Sequence, residues 1–206
     1  DNGPENTGPA SRRVVDDAST GPGLGSFASV GTTGGHRGRK RSLLQGGIGV
    51  PFIARWPGRI AAEKIDDTTP ITAVDLLPTF CALAGASLPK DYTPDGIDQS
   101  AALFGKPSSI RTKAIYWQWN FASSRGTNWP AHAVREGEWK LLLGKDPKEQ
   151  VELFRFPQDR LEKHNLQSKE SNEVERLKTL LDGWKASLPR YPNKDCLSVE
   201  RKRKAE

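Results

Sequence analysis

The segment from residue 114 to residue 188 limits the fold most tightly, because a strand-like part is followed by a helical one. Four short strand candidates come first, separated by turn residues: AIYWQW, HAVREG, EWKLLLG and VELFRF. A helical pattern follows, with Asn172 as its N-cap, Glu175 in a capping-box-like position and Pro189 as its stop. Its apolar positions are Val174, Leu177, Leu180, Leu181, Trp184 and Leu188. This order predicts a four-stranded antiparallel sheet packed on a C-terminal helix.

The segment before these strands carries elements of a different kind. Residues 49–56 (GVPFIARW) are an apolar run between glycine and proline turns, which predicts a strand. The stretch TPITAVDLLPTFCALAG predicts a helix with Asp75 as its N-cap, Pro78 in its first turn and Gly85 at its end. Residues 3–38, rich in Gly, Pro, Ser, Thr and Asn, predict a long loop.

These patterns divide the chain into three parts. Residues 1–110 are predicted to belong to a larger α/β body, residues 111–189 to form a small α+β subdomain, and residues 190–206 to form a disordered basic tail. Two basic clusters, HRGRKR at 36–41 and RKRK at 201–204, stand out within a formal net charge of +6. Such clusters favour an anionic partner. No apolar run approaches the roughly 18 residues of a membrane span, and no nucleic-acid-binding motif occurs. We therefore expect neither a membrane nor a nucleic-acid partner.

The cysteines and histidines do not form a site that their spacing alone can identify. Cys81 lies in an apolar stretch and is expected to be buried, whereas Cys196 lies near the polar tail. A disulfide between them stays open, and no zinc-type cysteine spacing is present. His132 and His164 are expected at the surface.

Two short motifs can carry chemistry. Asp1 and Asn2, in the sequence DNGP, offer a carboxylate and an amide oxygen suited to Ca²⁺ or Mg²⁺, although such a sequence is also ordinary turn chemistry. Lys40 stands shortly before the Gly46-Gly47 pair, where it can present its ammonium group to an anion. A solvated basic loop is the alternative interpretation.

Taken in order, these motifs resemble the C-terminal half of the type I, formylglycine-dependent sulfatases of the alkaline-phosphatase-like superfamily. DNGP is followed by G-x-K-x-x-x-x-x-G-G-x-x-x-P at residues 38–51 and then by W-P-G. Further agreement comes from TAVDLLPTF at 72–80, PDGID at 94–98, AVREGEWKLL at 133–142, and the later VELF and HNL. The ordered series covers nearly the whole chain, to about residue 189.

The resemblance implies a fold, an activity and a set of site residues. The fold is the C-terminal portion of an alkaline-phosphatase-like α/β domain, followed by the small α+β subdomain. Asp1 and Asn2 become calcium ligands, Lys40 becomes the contact to the substrate sulfate, and His36, beside the basic cluster, becomes a further substrate-binding candidate. The complete enzyme would hydrolyse sulfate esters of small molecules or glycans, and a periplasmic or secreted location is implied.

The chain also departs from the family pattern. Gln45 replaces an acidic residue, Leu44 an aromatic one, and Gly49 an arginine. Neither nucleophile motif, C-x-P-S-R or S-x-P-x-R, occurs in the chain. We therefore expect it to be inactive alone and to require the N-terminal half of the same enzyme as its partner. Residues 49–56 and 70–84 would then expose apolar surface and cause poor solubility or self-association.

Two other functions stay open at this point. One is a non-catalytic polyanion-binding module that uses Arg37 to Arg41. The other is a different alkaline-phosphatase-like hydrolase, such as a phosphodiesterase or a phosphonate hydrolase. Three tryptophans could stack on a sugar, with core or rim packing as the alternative: Trp117, Trp119 and Trp129.

Overall fold

The computed structural model describes residues 33–40, 42–106, 111–119, 130–145 and 150–189. Several predictions lie outside these ranges: Asp1, Asn2, most of the loop 3–38, Trp129, Cys196 and the tail 190–206. In chain order, the elements are α1 (Gln45–Ile48), α2 (Ala73–Ala84), α3 (Ser100–Leu103), β1 (Ile115–Gln118), β2 (His132–Glu136), β3 (Trp139–Leu143), β4 (Val151–Arg155) and α4 (Ser171–Ser187). No helix within the described ranges is long and apolar enough to cross a membrane.

The four predicted strands form one antiparallel sheet with the order β1-β2-β3-β4. Their register makes Val134 the partner of Leu141, which in turn pairs with Leu153. Because successive side chains of a strand point to opposite faces, this register gathers the apolar residues into two layers. The strand prediction is confirmed for all four segments.

One face of the sheet packs against α4. Val134, Leu141 and Leu153 are fully buried there against Leu177 and Leu181 of the helix. At the edge of this layer the rings of Tyr116 and Trp184 stack at 5.0 Å between centroids. The predicted packing of sheet on helix is therefore present, and Leu188 is the exception. It follows the last helical residue as the C-cap and is 36% exposed.

The other face of the sheet packs against the segment that precedes α1 and α1 itself. Ala133, Leu142 and Phe154 of the strands form a cluster here with Leu43 and Leu44. The sheet thus lies between α4 on one side and the lysine-bearing segment on the other. Part of residues 1–110 therefore contributes to the core of the small subdomain.

The ends of two helices differ from the sequence prediction. Helix α4 starts from Glu170, whose carbonyl accepts the Val174 N–H at 3.1 Å, so Asn172 lies inside the first turn and is not the N-cap. Helix α2 starts from Thr72, whose N–H donates to Asp75 Oδ2 at 2.8 Å. Asp75 is therefore the third residue of a capping box, since a helix begins where its first carbonyl finds an N–H donor.

The remaining features of α2 reflect its surroundings. Pro78 lies in the middle of the helix and not in its first turn. Because proline has no N–H, the Val74 carbonyl lacks the hydrogen bond that residue 78 would otherwise donate. Gly96 packs against that carbonyl, because a Cβ at Gly96 would lie 2.0 Å from the oxygen. Gly85 ends the helix in the left-handed conformation at φ 65°, as predicted. Cys81 in the third turn is half-buried and not fully buried as expected.

The strand predicted at residues 49–56 is absent. These residues are irregular and exposed, including Phe52, Ile53 and Trp56. A strand forms only beside another strand that satisfies its N–H and C=O groups, and every strand among the described residues belongs to the β1–β4 sheet. The apolar pattern alone could not reveal that none of the described residues offers this segment a pairing partner.

Candidate functional site

The segment that carries Lys40 is folded tightly back on itself. We call residues 36–40 and 42–49 the lysine loop. The Gly46 N–H donates to the Arg37 carbonyl at 2.6 Å and the Ser42 N–H to the Arg39 carbonyl at 3.0 Å. A Cβ at Gly46 would lie 2.2 Å from the Gly38 oxygen. Because no real side chain tolerates such a contact, the glycine pair is what allows this loop to close.

Lys40 and His36 lie on the same loop and are both half-buried. Lys40 stands in the turn that the glycine pair closes. The His36 Nδ1 lies 3.0 Å from the carbonyl oxygen of Arg160, and since a carbonyl only accepts, Nδ1 carries the hydrogen. This bond holds the His36 ring against the segment that follows β4. The two predicted substrate-contacting residues therefore share one backbone support.

A carboxylate buried beneath the lysine loop joins it to the sheet. Glu162 is fully buried, and its Oε1 accepts a hydrogen bond from Lys140 Nζ at 2.6 Å. Its Oε2 accepts the Gln45 N–H at 2.8 Å, at the start of α1. Its backbone adopts φ 54°, a left-handed conformation that is uncommon for a residue other than glycine. One side chain thus contacts both β3 and the lysine loop.

Arg37 provides a second attachment of the loop to the subdomain. Its Nη1 donates to Glu152 Oε2 at 2.9 Å and to the Glu162 carbonyl at 2.8 Å. The guanidinium also lies 5.8 Å from the centroid of the Phe154 ring. Arg37, the first arginine of the basic cluster, is therefore occupied by contacts within the fold. This weakens the polyanion-binding alternative, which requires the Arg37 side chain to be available to a ligand.

Burial shapes the electrostatics beneath the loop. Burial lowers the pKa of Lys140, the Glu162 carboxylate opposes this shift, and the nearby Arg135 and Arg37 guanidinium groups add to it. The pKa of Arg135 is lowered too, first by burial and then by repulsion from Arg160 and Arg111. The Arg135 guanidinium lies 4.7 Å from the centroid of the Phe156 ring. Cationic groups and the Glu152 and Glu162 carboxylates thus lie together beneath the lysine loop.

Other residues considered in the sequence fall into plain structural roles. Trp117 and Trp119 pack against the apolar cluster on the sheet face that meets the lysine loop, which favours core packing over stacking on a sugar. His132 is buried at the start of β2, so its predicted surface location is wrong, and burial is the largest cause that lowers its pKa. The Cβ position of Gly49 faces the side-chain amide of Gln45, since a Cβ there would lie 2.5 Å from Nε2. Two of the three departures from the sulfatase pattern, Gln45 and Gly49, thus meet at one place in the loop.

Metal binding by this chain is not visible within the described residues. The part of the chain that the structure describes contains no group of three or more His, Cys, Asp or Glu side chains arranged to hold a metal ion. The predicted calcium ligands, Asp1 and Asn2, lie outside that part.

Sequence reasoning missed Glu162 and Lys140, the pair that anchors the loop. A signal was present, because Lys140 is the one charged residue in the strand WKLLL and shares its face of the strand with the apolar Leu142, two positions on. A lysine in the interior of a buried strand needs a carboxylate partner. The sequence could indicate that such a partner exists, but not that it is Glu162, 22 positions away.

Comparison with known proteins gives a consistent result. The family model described as N-sulphoglucosamine sulphohydrolase, C-terminal, matches residues 35–186. Arylsulfatase G of Rattus norvegicus is 41% identical over 86 residues, which are 40% of this chain and 16% of that protein. Arylsulfatase A of Homo sapiens is 35% identical over 127 residues, 62% of this chain and 24% of that protein. The chain therefore spans less than a quarter of the length of these curated relatives.

Solved structures agree with the sequence relatives. A protein from work on the metabolism of multiple glycosaminoglycans by Bacteroides thetaiotaomicron aligns with a TM-score of 0.58 and 27% identity, over 74% of this chain and 32% of that one. A second, Ps i-CgsB in complex with a neocarrahexaose, aligns with a TM-score of 0.58 and 26% identity, over 72% of this chain and 31% of that one.

Proposed function

Since the chain belongs to the N-sulphoglucosamine sulphohydrolase C-terminal family, and so represents the C-terminal part of a sulfatase of the alkaline-phosphatase-like superfamily, we propose that it supplies the sulfate contact of an enzyme that hydrolyses sulfate esters. The observation that carries the proposal is the lysine loop, which the glycine pair folds tightly and which the buried Glu162 joins to the sheet. A loop supported in this way can hold the Lys40 ammonium in one place, as catalysis by charge stabilisation requires.

The chemistry assigns a simple role to Lys40. Hydrolysis of a sulfate ester develops negative charge on the leaving oxygen and on the non-bridging oxygens. An ammonium group fixed beside these oxygens stabilises that charge in the transition state. His36, on the same loop, contributes a second polar contact to the substrate. Calcium, bound in part by Asp1 and Asn2, would neutralise further charge on the sulfate. The nucleophile would come from residues outside this chain.

The substrate and partner follow from the same proposal. The names of the relatives include arylsulfatases and a steryl-sulfatase, and one neighbouring structure holds an oligosaccharide. We infer a sulfated small molecule or glycan as substrate. The N-terminal half of the same enzyme would cover the exposed apolar side chains of residues 50–56 and of α2. A periplasmic or secreted location, implied by the family resemblance, belongs to the proposal as well.

Replacing Lys40 in the full-length enzyme tests the proposed function. Because Lys40→Ala removes a transition-state contact, kcat/KM for a fluorogenic aryl sulfate should fall by about 10²–10³-fold. Lys90→Ala, which removes an exposed lysine elsewhere, is the matched control and should leave turnover unchanged. Turnover by Lys40→Ala within about twofold of the parent would remove Lys40 from the site. A preference of the parent for phosphonate or phosphodiester substrates would favour the other hydrolase class.

A further inference from the structure

The buried pair of Glu162 and Lys140 has no part in the chemistry assigned above, yet both side chains are fully buried. Removing two charged groups from water is costly, and an apolar pair of similar volume often serves packing equally well or better. Packing of the sheet therefore does not by itself account for an ionic pair here. The geometry of the Glu162 carboxylate indicates what the pair adds.

The two oxygens of that carboxylate face different parts of the molecule. Oε1 takes the Lys140 ammonium on β3, and Oε2 takes the Gln45 N–H at the first residue of α1. Because the ammonium occupies one oxygen, the other oxygen is held toward the main chain of the lysine loop. Gln45 directly precedes Gly46, whose own N–H closes the loop onto Arg37. The ionic bond on β3 is thus linked to the loop closure through one side chain.

We propose that Glu162, held in place by Lys140, is a positioning residue that fixes the lysine loop and thereby sets where Lys40 meets the substrate sulfate. This inference rests on the proposed function of Lys40. It extends that function to a part of the subdomain that touches neither substrate nor metal in the proposal. The link is specific, because it runs through a single main-chain N–H.

A glutamine at position 162 exposes the link most directly. Its one carbonyl oxygen can take the place of Oε1 or of Oε2 but not of both, so it can meet either the Lys140 ammonium or the Gln45 N–H in their present positions, and the charged donor forms the stronger bond. The amide NH₂ would then face the Gln45 N–H, donor against donor. The contacts of Arg37 to Glu152 and to the main-chain carbonyl of residue 162 remain, so the loop stays attached while its closure is disturbed.

The first measurement is turnover of an aryl sulfate by the full-length enzyme. Glu162→Gln should lower kcat/KM by about 10²-fold, the size expected for a misplaced catalytic group. In a Lys40→Ala background the same change should cost clearly less than it does in the parent, because only the His36 contact is then left on the loop to be positioned. An equal loss in both backgrounds would mean that the pair acts on folding alone, and this would overturn the proposal.

Two charge-neutral double variants separate positioning from stability. Lys140→Met/Glu162→Gln frees the glutamine carbonyl for the Gln45 N–H and should restore most of the turnover lost in Glu162→Gln. Lys140→Met/Glu162→Leu also removes both charges but offers no acceptor, so it should not restore turnover. Equal activity of the two doubles would overturn the proposal, since only the acceptor distinguishes them.

Hydrogen–deuterium exchange of the peptide spanning residues 42–49 gives a readout that does not depend on activity. The Gln45 amide should exchange faster in Glu162→Gln than in the parent and regain protection in Lys140→Met/Glu162→Gln. Unchanged exchange in Glu162→Gln would overturn the anchoring itself. If exchange changes as expected but Lys40→Ala hydrolyses aryl sulfate as the parent does, the proposed function fails and the anchoring of the loop stands.

Discussion

At the scale of single residues, the glycine pair of the lysine loop responds most sharply to one added methyl group. Gly46 and Gly47 each face main-chain oxygens so closely that a Cβ would lie 2.2 Å and 2.3 Å from them. The opposing atoms are backbone and cannot rotate aside, so any substitution must open the loop. These glycines therefore matter for their missing side chain, and not only for their flexibility.

Gly46→Ala should reduce both stability and activity of the full-length enzyme. We expect a loss of about 1–3 kcal/mol in the free energy of unfolding, as for other overpacked sites, with a larger relative loss of aryl sulfate turnover. Gly183→Ala is the matched control, because its Cβ meets nothing within 4 Å in α4. That change should stabilise the protein by about 0.5–1 kcal/mol. A Gly46→Ala variant with parental melting temperature and turnover would contradict the observed closeness.

Residue identities could be predicted from the sequence where a motif contained the whole interaction. The sequence indicates Lys40 and the glycine pair as one motif because they lie within a few positions of one another. It does not indicate Glu162, because the role of Glu162 depends on Lys140 and Gln45, which only the fold brings near. The surface prediction for His132 is wrong for a similar reason, since only the packing of α4 on this face of the sheet, which brings Asp182 and Lys185 near the ring, shows that the side chain is covered.

At the scale of elements, α2 is turned with its polar side inward. Its buried residues are Asp75, Pro78 and Thr79. Its exposed apolar residues, Val74 and Leu77 among them, follow helical spacing along the opposite side. Asp75 is the reason, because its carboxylate receives the Ile97 N–H at 2.9 Å and Arg111 Nη1 at 2.7 Å. The inward face of α2 is therefore held by hydrogen bonds and charge.

Asp75→Asn should destabilise the protein strongly. The Arg111 guanidinium is almost fully buried, and removing the charge of its partner leaves it uncompensated. Breaking a buried ion pair in this way costs about 3–5 kcal/mol. Chemical denaturation of the full-length enzyme measures the change, and Asp91→Asn, an exposed aspartate, serves as the control. A cost below about 1 kcal/mol would show that the pair contributes no more than an exposed one.

Elements were predictable where local pattern and tertiary partner agreed. The four strands and α4 carry their own periodicity, and each packs on its chain neighbours, so they were found within one or two residues. Residues 49–56 are also rich in apolar side chains but have no adjacent strand among the described residues. Strand formation needs a hydrogen-bonded partner, and a single segment does not encode whether one is present.

At the scale of the whole molecule, the predicted fold class is confirmed. Solved relatives with TM-scores of 0.58 support the C-terminal portion of an alkaline-phosphatase-like α/β fold, and the sheet and α4 form the small α+β part. The division into domains at residue 110 stays a prediction. Several apolar side chains are exposed, among them Ile53 at 89% and Phe80 at 55% of their surface. Such exposure favours the prediction that the chain alone self-associates.

The isolated chain should therefore sediment as oligomers at micromolar concentration. Ile53→Lys combined with Phe80→Lys should shift the distribution toward monomer, because charges replace two of the most exposed apolar side chains. Thr179→Lys, on the exposed side of α4, adds a charge elsewhere and should not. Analytical ultracentrifugation distinguishes these outcomes. A sharp monomer peak of the parent chain, together with a cooperative melt, would count against the view that a partner covers this surface.

The distance along the chain between the lysine loop and its anchors has a consequence for how such a protein is made. Arg37 is 115 positions from Glu152, and Gln45 is 117 positions from Glu162. At ribosomal speeds the loop waits on the order of ten seconds before its anchors have been synthesised. A messenger that stops short of residue 162 would yield a polypeptide with Lys40 present and nothing to fix it. The loop that carries the proposed sulfate contact can thus be anchored only after residue 162 has been synthesised.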